Sequence, residues 1–237
     1  DFALIEDCGP KKRVTFFCLI PLTVSLFSPL LKTFQLVSRQ SHRETFWCLA
    51  RPLINEFMNA RILSLNIGHP GTMIWNEKSV QSSMHKHPVP GPIKVTLDGI
   101  EGNSFSNPHF HGAPESVLYA YGMTSALRFM KLIGGKEYIP GSTGETLTLD
   151  AFEESEVSIG DIFEIGSVLA QATCPRTPCG KVNFRMQNPN GQQAMFDCGA
   201  SGVYFRIIRP GEISLSDEIK RIERSQHPFT IAELYGK

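Results

Sequence analysis

The sequence predicts a mainly β fold with a few helices, a single domain built on a closed or strongly curved, barrel-like sheet. Three observations carry that prediction. Apolar residues alternate with polar ones over many short runs, Gly and Pro turns separate those runs, and only one long segment has helical spacing.

The elements follow in chain order. Ala60 to Gly68 sets Ile62, Ser64 and Asn66 against Leu63, Leu65 and Ile67, a strand that ends at His69-Pro70-Gly71. Residues 82–92 hold three prolines and read as a loop, and Ile93 to Leu97 alternates as a second strand. Gly99 to Pro114 has loop composition and contains His109-Phe110-His111. Pro114 and Glu115 open a predicted helix with Val117, Leu118, Tyr121, Leu127, Met130 and Ile133 on one face, ended by Gly134-Gly135. Tyr138 to Thr148 is loop-like, and Val157 to Ile165 reads as a tight β corner. Val168 to Thr173 is a strand that leads into a proline-rich loop. Gly202 to Ile208 is another, closed by Pro210-Gly211. Residues 213–224 fit strand and helix spacing equally, and Thr230-x-x-Glu233 is a capping box for a short terminal helix.

Composition excludes several function classes. Lys and Arg together balance Asp and Glu at formal charge zero, so no strong field points to nucleic acid. Six irregularly spaced cysteines do not form a disulfide scaffold, and no CxxC pair offers a zinc-ribbon or ferredoxin-type cluster. Neither G-x-G-x-x-G nor a phosphate-binding P-loop occurs, so no nicotinamide or flavin framework is visible. Residues 1–57 differ from the rest, residues 58–237. Lys11, Lys12 and Arg13 precede an apolar run, Val14 to Val37, that Pro21, Pro29 and Lys32 interrupt. This leader reads as a targeting or anchor segment, as a folded appendage, or as a non-native extension with Met58 the natural start. A cytoplasmic location is expected unless the leader redirects the chain, and membrane contact only if the leader is an anchor.

One cysteine stands out. Cys174-Pro175-Arg176-Thr177-Pro178-Cys179-Gly180-Lys181 is stiffened by prolines that fix φ and remove donors. Arg176 and Lys181 place two cations near the Cys179 sulfur, which favours thiolate and suits a soft metal or an anionic cofactor. The alternative is a small buried hydrophobe. A competing site would join Cys179 with His85-x-His87 and His109-x-His111 around zinc or iron, although Pro88 and Pro108 place both pairs in loops.

Five ordered blocks from about Met58 onward resemble the MOSC domain, named for the C-terminal domain of molybdenum cofactor sulfurase, and most closely its small bacterial stand-alone YiiM-type members. They are Ser83-Met84-His85-Lys86 with Gly91-Pro92; His111-Gly112-Ala113-Pro114-Glu115; Gly144-Glu145-Thr146-Leu147 with Val157 to Asp161; Pro175 to Cys179; and Gly202-Val203-Tyr204 with Pro210-Gly211. The resemblance implies a β-barrel-like domain that binds the molybdenum cofactor (molybdopterin), with Cys179 as metal ligand and, together with His111, as the catalytic pair. It implies Lys86, Arg176 and Lys181 as cations for the phosphate and pterin. Ser83 and Thr177 become hydroxyl donors, and His111 and Gly112 contacts at the start of the predicted helix, whose amides would also face an anion. It implies reduction of N-hydroxylated or related N-oxygenated small molecules, two electrons and two protons turning the oxygen into water. A separate reductase or ferredoxin-like protein would supply the electrons. The alternative is a carrier module that hands on sulfur or cofactor through a Cys179 persulfide or thiolate, without turnover of its own. Lys86, Lys181 and Arg185 also read as surface charges, Glu145 as a carboxylate satisfying loop amides, and Cys174 as a passive strand end. Where the family pattern reads G-D-x-Q-x-D, this chain has Gly102-Asn103-Ser104-Phe105-Ser106-Asn107. Ala113 and Thr146 also depart from the pattern.

Overall fold

The computed structural model describes residues 58–106, 113–199 and 201–235. The leader, residues 1–57, lies outside them, as do His109, His111 and Gly112. Twelve strands form among the described residues: β1 (Asn59–Gly68), β2 (Gly71–Trp75), β3 (Lys78–Ser82), β4 (Lys86–Val89), β5 (Ile93–Val95), β6 (Leu118–Gly122), β7 (Leu147–Leu149), β8 (Ile162–Ile165), β9 (Val168–Pro175), β10 (Val203–Arg209), β11 (Gly211–Ile213) and β12 (Glu218–Glu223). The helices are α1 (Met123–Leu132), α2 (Lys181–Met186), α3 (Gly191–Asp197) and α4 (Ile231–Tyr235).

The expected barrel is present. Strands β12, β8, β9, β10, β6, β7 and β1 pair in that order, and β1 returns to β12 through Asn59↔Lys220 and Arg61↔Glu218, which closes the ring. β6 and β7 run parallel, and the other pairs are antiparallel. Closure leaves no free edge around the ring. Inward residues of alternating strands fill it, among them Leu65, Leu118, Leu149, Phe163 and Phe205, each with no exposed surface. Phe163 and Phe205 meet edge to face at 5.5 Å.

β6 decides where the site lies. Leu118 and Ala120 point into the barrel, while Tyr119 and Tyr121 point out into a second cluster with Phe129, Val182 and Met195 from the three helices α1, α2 and α3. A strand buried on both faces reads as one apolar run, so its spacing was compatible with helix. The helix expected from Pro114 therefore begins only at Met123. Pro114–Ser116 forms a single 3-10 turn, and a strand takes Leu118 to Gly122. Gly122 must be glycine, because a Cβ there would lie 2.0 Å from the Phe152 carbonyl oxygen.

One other expectation is corrected, and one open choice is resolved. The proline-rich loop 82–92 contains β4, which pairs with β1 from Leu65↔Val89 to Gly68↔Lys86, Pro88 included. Within residues 213–224, Ile213 ends β11, a turn follows, and Glu218–Glu223 is β12, which bridges β8 and β1. The hairpin β2–β3 and the short helices α2 and α3 had no counterpart in the sequence reading. The capping box forms as read, Thr230 N donating to Glu233 Oε2 at 2.8 Å and Glu233 N to Thr230 Oγ1 at 3.3 Å.

Candidate functional site

β9 ends at Pro175, and the next five residues cross to α2 as an irregular loop. Its backbone is held from both sides. The Ser201 hydroxyl donates to the Arg176 carbonyl, the Gln192 side chain donates to the Pro178 carbonyl at 3.0 Å, and the Val182 amide donates to the Cys179 carbonyl at 3.0 Å. With φ fixed at two prolines and three carbonyls occupied, the loop presents Cys179 in one orientation. Cys179 is half-buried and lines an open cleft.

Charge sets this cleft apart. Lys86 reaches it from β4, Arg176 from the loop and Lys181 from α2, and among the described residues no aspartate or glutamate lines it. Arg176 is 5% exposed. Its Nη1 donates to Met195 Sδ at 3.0 Å, and its guanidinium lies 5.6 Å from the centre of the Tyr119 ring. Lys86 is equally enclosed, and its Nζ donates to Thr146 Oγ1 at 2.7 Å. Burial pushes that ammonium down to about 8, against the pull of the Glu145 charge. Among the described residues no carboxylate forms an ion pair with Lys86, Arg176 or Lys181. Lys181 Nζ instead meets Ser106 Oγ at 3.3 Å. A buried cation without a counter-charge is costly, and two beside one cleft call for an anion from outside.

The Glu145 charge acts on Lys86 but does not pair with it directly, because its oxygens are taken. They accept from Tyr138 Oη, the Gly141 and Thr143 amides, and the Thr143 and Thr148 hydroxyls, all within 3.1 Å. This is the loop-satisfying role. Ser83 is the reverse case, a buried hydroxyl on the cleft wall with no partner among the described residues.

Of the residues singled out from sequence, Ser83, Lys86, Arg176, Cys179 and Lys181 share this cleft. Thr177 does not. It is exposed and turned away from the lining, because Arg176 and Pro178 on either side of it are buried. His111 and Gly112 lie outside the described residues. The 3-10 turn at Pro114 offers no helix N-terminus for an anion. His85 and His87 have rings 4.6 Å apart on the exposed side of β4, opposite inward-facing Lys86, so neither shares the cleft with Cys179. His87 also pairs in β4, where a loop was expected. Burial, then Arg185, then His87 lower the affinity of His85 for a proton. Among the described residues no group of three or more His, Cys, Asp or Glu is placed to hold a metal ion. Arg185 donates to Ser142 Oγ at 3.3 Å and does not line the cleft. Cys174 sits opposite Tyr204 in the β9–β10 ladder, away from the lining, and burial raises its pKa.

Sequence reasoning missed the wall formed by Tyr119 and Tyr204. These residues face one another across β6 and β10 with rings 5.1 Å apart, and both border the cleft. Asn103, one of the departures from the family pattern, also borders it and accepts from the Gly68 amide through Oδ1 at 3.1 Å.

The described residues thus form a closed barrel with Cys179 in a cleft lined by three cations and no described carboxylate. Residues 107–220, just under half of the chain, match the MOSC domain. The family is associated with binding of the molybdenum cofactor. YiiM of Escherichia coli (strain K12) is 30% identical over 60% of this chain and 65% of its own length. The crystal structure of YiiM from Geobacillus stearothermophilus superposes with a TM-score of 0.61 at 28% identity, over 74% of this chain and 82% of that one. A protein of Gibberella moniliformis named "Reductase" is 28% identical over 64% of this chain, which spans only 28% of that larger protein. Among the described residues no helix is long and apolar enough to cross a membrane.

Proposed function

We propose that this chain is a molybdenum-cofactor-dependent reductase of N-hydroxylated or related N-oxygenated small molecules, with Cys179 as the protein's ligand to the metal. One observation carries the proposal. Among the described residues Cys179 is the one cysteine on the cleft wall, and it shares that wall with two buried cations that form no ion pair with a described carboxylate. The donor set fits the cofactor. A thiolate suits a soft, sulfur-rich metal environment, and Arg176, Lys86 and Lys181 suit a phosphate and the pterin's polar edge. The unpartnered Ser83 hydroxyl provides a further donor for the same anion. When bound, the cofactor supplies the two-electron chemistry.

The chain's own residues do the rest. Arg176, packed between Tyr119 and Met195, is a pre-oriented anion clamp that loses little freedom on binding. Met84, Phe105, Val117 and Tyr204 give the cleft an apolar wall that excludes water and accepts a flat organic substrate. Lys86, hydrogen-bonded to Thr146, holds a proton at the cleft wall for the departing oxygen. Electrons come from a separate reductase or ferredoxin-like partner. The reductase relative supports the reaction class, and the family supports the cofactor.

The test is metal and pterin analysis after expression in a host competent for molybdenum-cofactor synthesis. Wild type should carry both, and Cys179→Ala should lose the molybdenum. Zinc or iron retained equally in both proteins would overturn the assignment. A reducible sulfur adduct on Cys179 without pterin would make the chain a sulfur carrier instead.

A further inference from the structure

We propose that Lys86 is a nucleophilic amine that condenses with small aldehydes carrying a phosphate or carboxylate group, so that the cleft captures anionic aldehydes as imines. The proposal goes beyond cofactor binding and does not need a metal. Lys86 Nζ lies on the cleft wall, its side chain otherwise enclosed, and it donates to a hydroxyl where most buried lysines meet a carboxylate. Its backbone is held by the facing loop, where a Cβ on Gly141 would sit 2.7 Å from the Lys86 carbonyl oxygen. An ammonium pinned to a carboxylate has no lone pair to offer. Here burial brings the group down to about 8, so about half of it is free amine at that pH.

The step balances without an oxidant. The Nζ lone pair adds to the carbonyl carbon, and the oxygen takes a proton to give a carbinolamine. The nitrogen then loses its proton through Thr146 Oγ1, 2.7 Å away, to the departing hydroxyl, and water leaves as the C=N bond forms. Arg176 and Lys181 hold the aldehyde's anionic group, and the Ser83 hydroxyl supplies the donor that the structure leaves unused.

The experiment treats the full chain at pH 8 with pyridoxal 5′-phosphate as probe, reduces with borohydride, and reads the adduct by intact mass and peptide mapping. One adduct on the Lys86 peptide is expected. Pyridoxal without the phosphate should need at least about tenfold more reagent for half-labelling, and Arg176→Gln should raise the requirement for the phosphate form by a similar factor. Inorganic pyrophosphate should compete, and Lys86→Arg should show no cleft adduct. Labelling spread over exposed lysines such as Lys78, Lys94 and Lys220, or equal labelling with and without phosphate, overturns the proposal. The wild-type map decides this even if a variant fails to fold. An adduct on Lys86 in a chain that never acquires molybdenum would sink the reductase reading alone, and molybdenum without the adduct would sink this one alone.

Discussion

Arg221 and Arg176 are both 5% exposed, yet the protein treats their charges in opposite ways. Arg221, on β12, meets Asp161 at 3.2 Å and donates to the Glu156 carbonyl at 2.7 Å. Asp161 in turn accepts from the Ser158 and Ser225 amides, so both charges close on each other inside the barrel wall. Arg176 faces a tyrosine ring, a thioether and an open cleft, with no described carboxylate in reach. A buried charge answered within the chain is architecture, whereas one left unanswered beside a cleft is reserved for a ligand. The two arginines should therefore fail differently when removed.

The largest effect is expected at the closed pair. Asp161→Ala leaves Arg221 buried without its partner and should lower unfolding stability by roughly 3–5 kcal/mol in urea denaturation. Arg176→Met removes a charge that has no described carboxylate partner, and without ligand should change stability by less than about 1 kcal/mol or raise it. Equal losses for the two would erase the distinction drawn here.

Ligand reverses the order. Pyrophosphate at about a hundred times its dissociation constant should stabilise wild type by roughly 2.7 kcal/mol, read as a shift in thermal midpoint. Arg176→Met should show almost none of that gain, while a variant at Arg209, whose ion pair with Glu164 is exposed, should keep it. Loss of the gain in both would mean that the anion sits on the general surface.

The pH dependence follows from Lys86. The anion needs the ammonium, so its affinity should fall as pH rises through about 8, while imine trapping should rise across the same interval. The folded value lies below the ordinary lysine range. The unfolded chain therefore binds the proton more tightly, and without ligand stability should rise from about pH 8 towards that range. Lys86→Arg, which keeps its charge there, should flatten both the affinity and the stability profiles in calorimetric titrations. An unchanged profile would move the titrating group elsewhere.

Much of this contrast was legible beforehand because its signals are local. Pro175 and Pro178, preceding Arg176 and Cys179, announced a stiff loop, alternation announced β1, β9 and β10, and Thr230 with Glu233 announced the terminal cap. What stayed hidden depends on pairing between distant segments. β6 is buried on both faces and mimics a helix, and β4 carries a proline. The Tyr119–Tyr204 wall exists only once β6 and β10 are in register. Spacing also could not tell that Thr177 faces away, since two neighbours in a loop have no fixed alternation.

The smallest expected effect tests the same principle at Asn103, where the family pattern carries an acid. Its Oδ1 is held by the Gly68 amide, so the side chain is fixed at the edge of the cleft. Asn103→Asp preserves shape and that hydrogen bond but brings a carboxylate towards Lys86, Arg176 and Lys181. A like charge near an anion at a solvated rim is worth about 1 kcal/mol or less, so pyrophosphate affinity should fall by about threefold to fivefold in titration calorimetry. The effect should shrink at high salt, because rim charges are screened and the enclosed Arg176 contact is not. Tighter binding in the aspartate variant would show that the cleft carries more positive charge than its ligand needs, and that the amide at position 103 is not what keeps it receptive to anions.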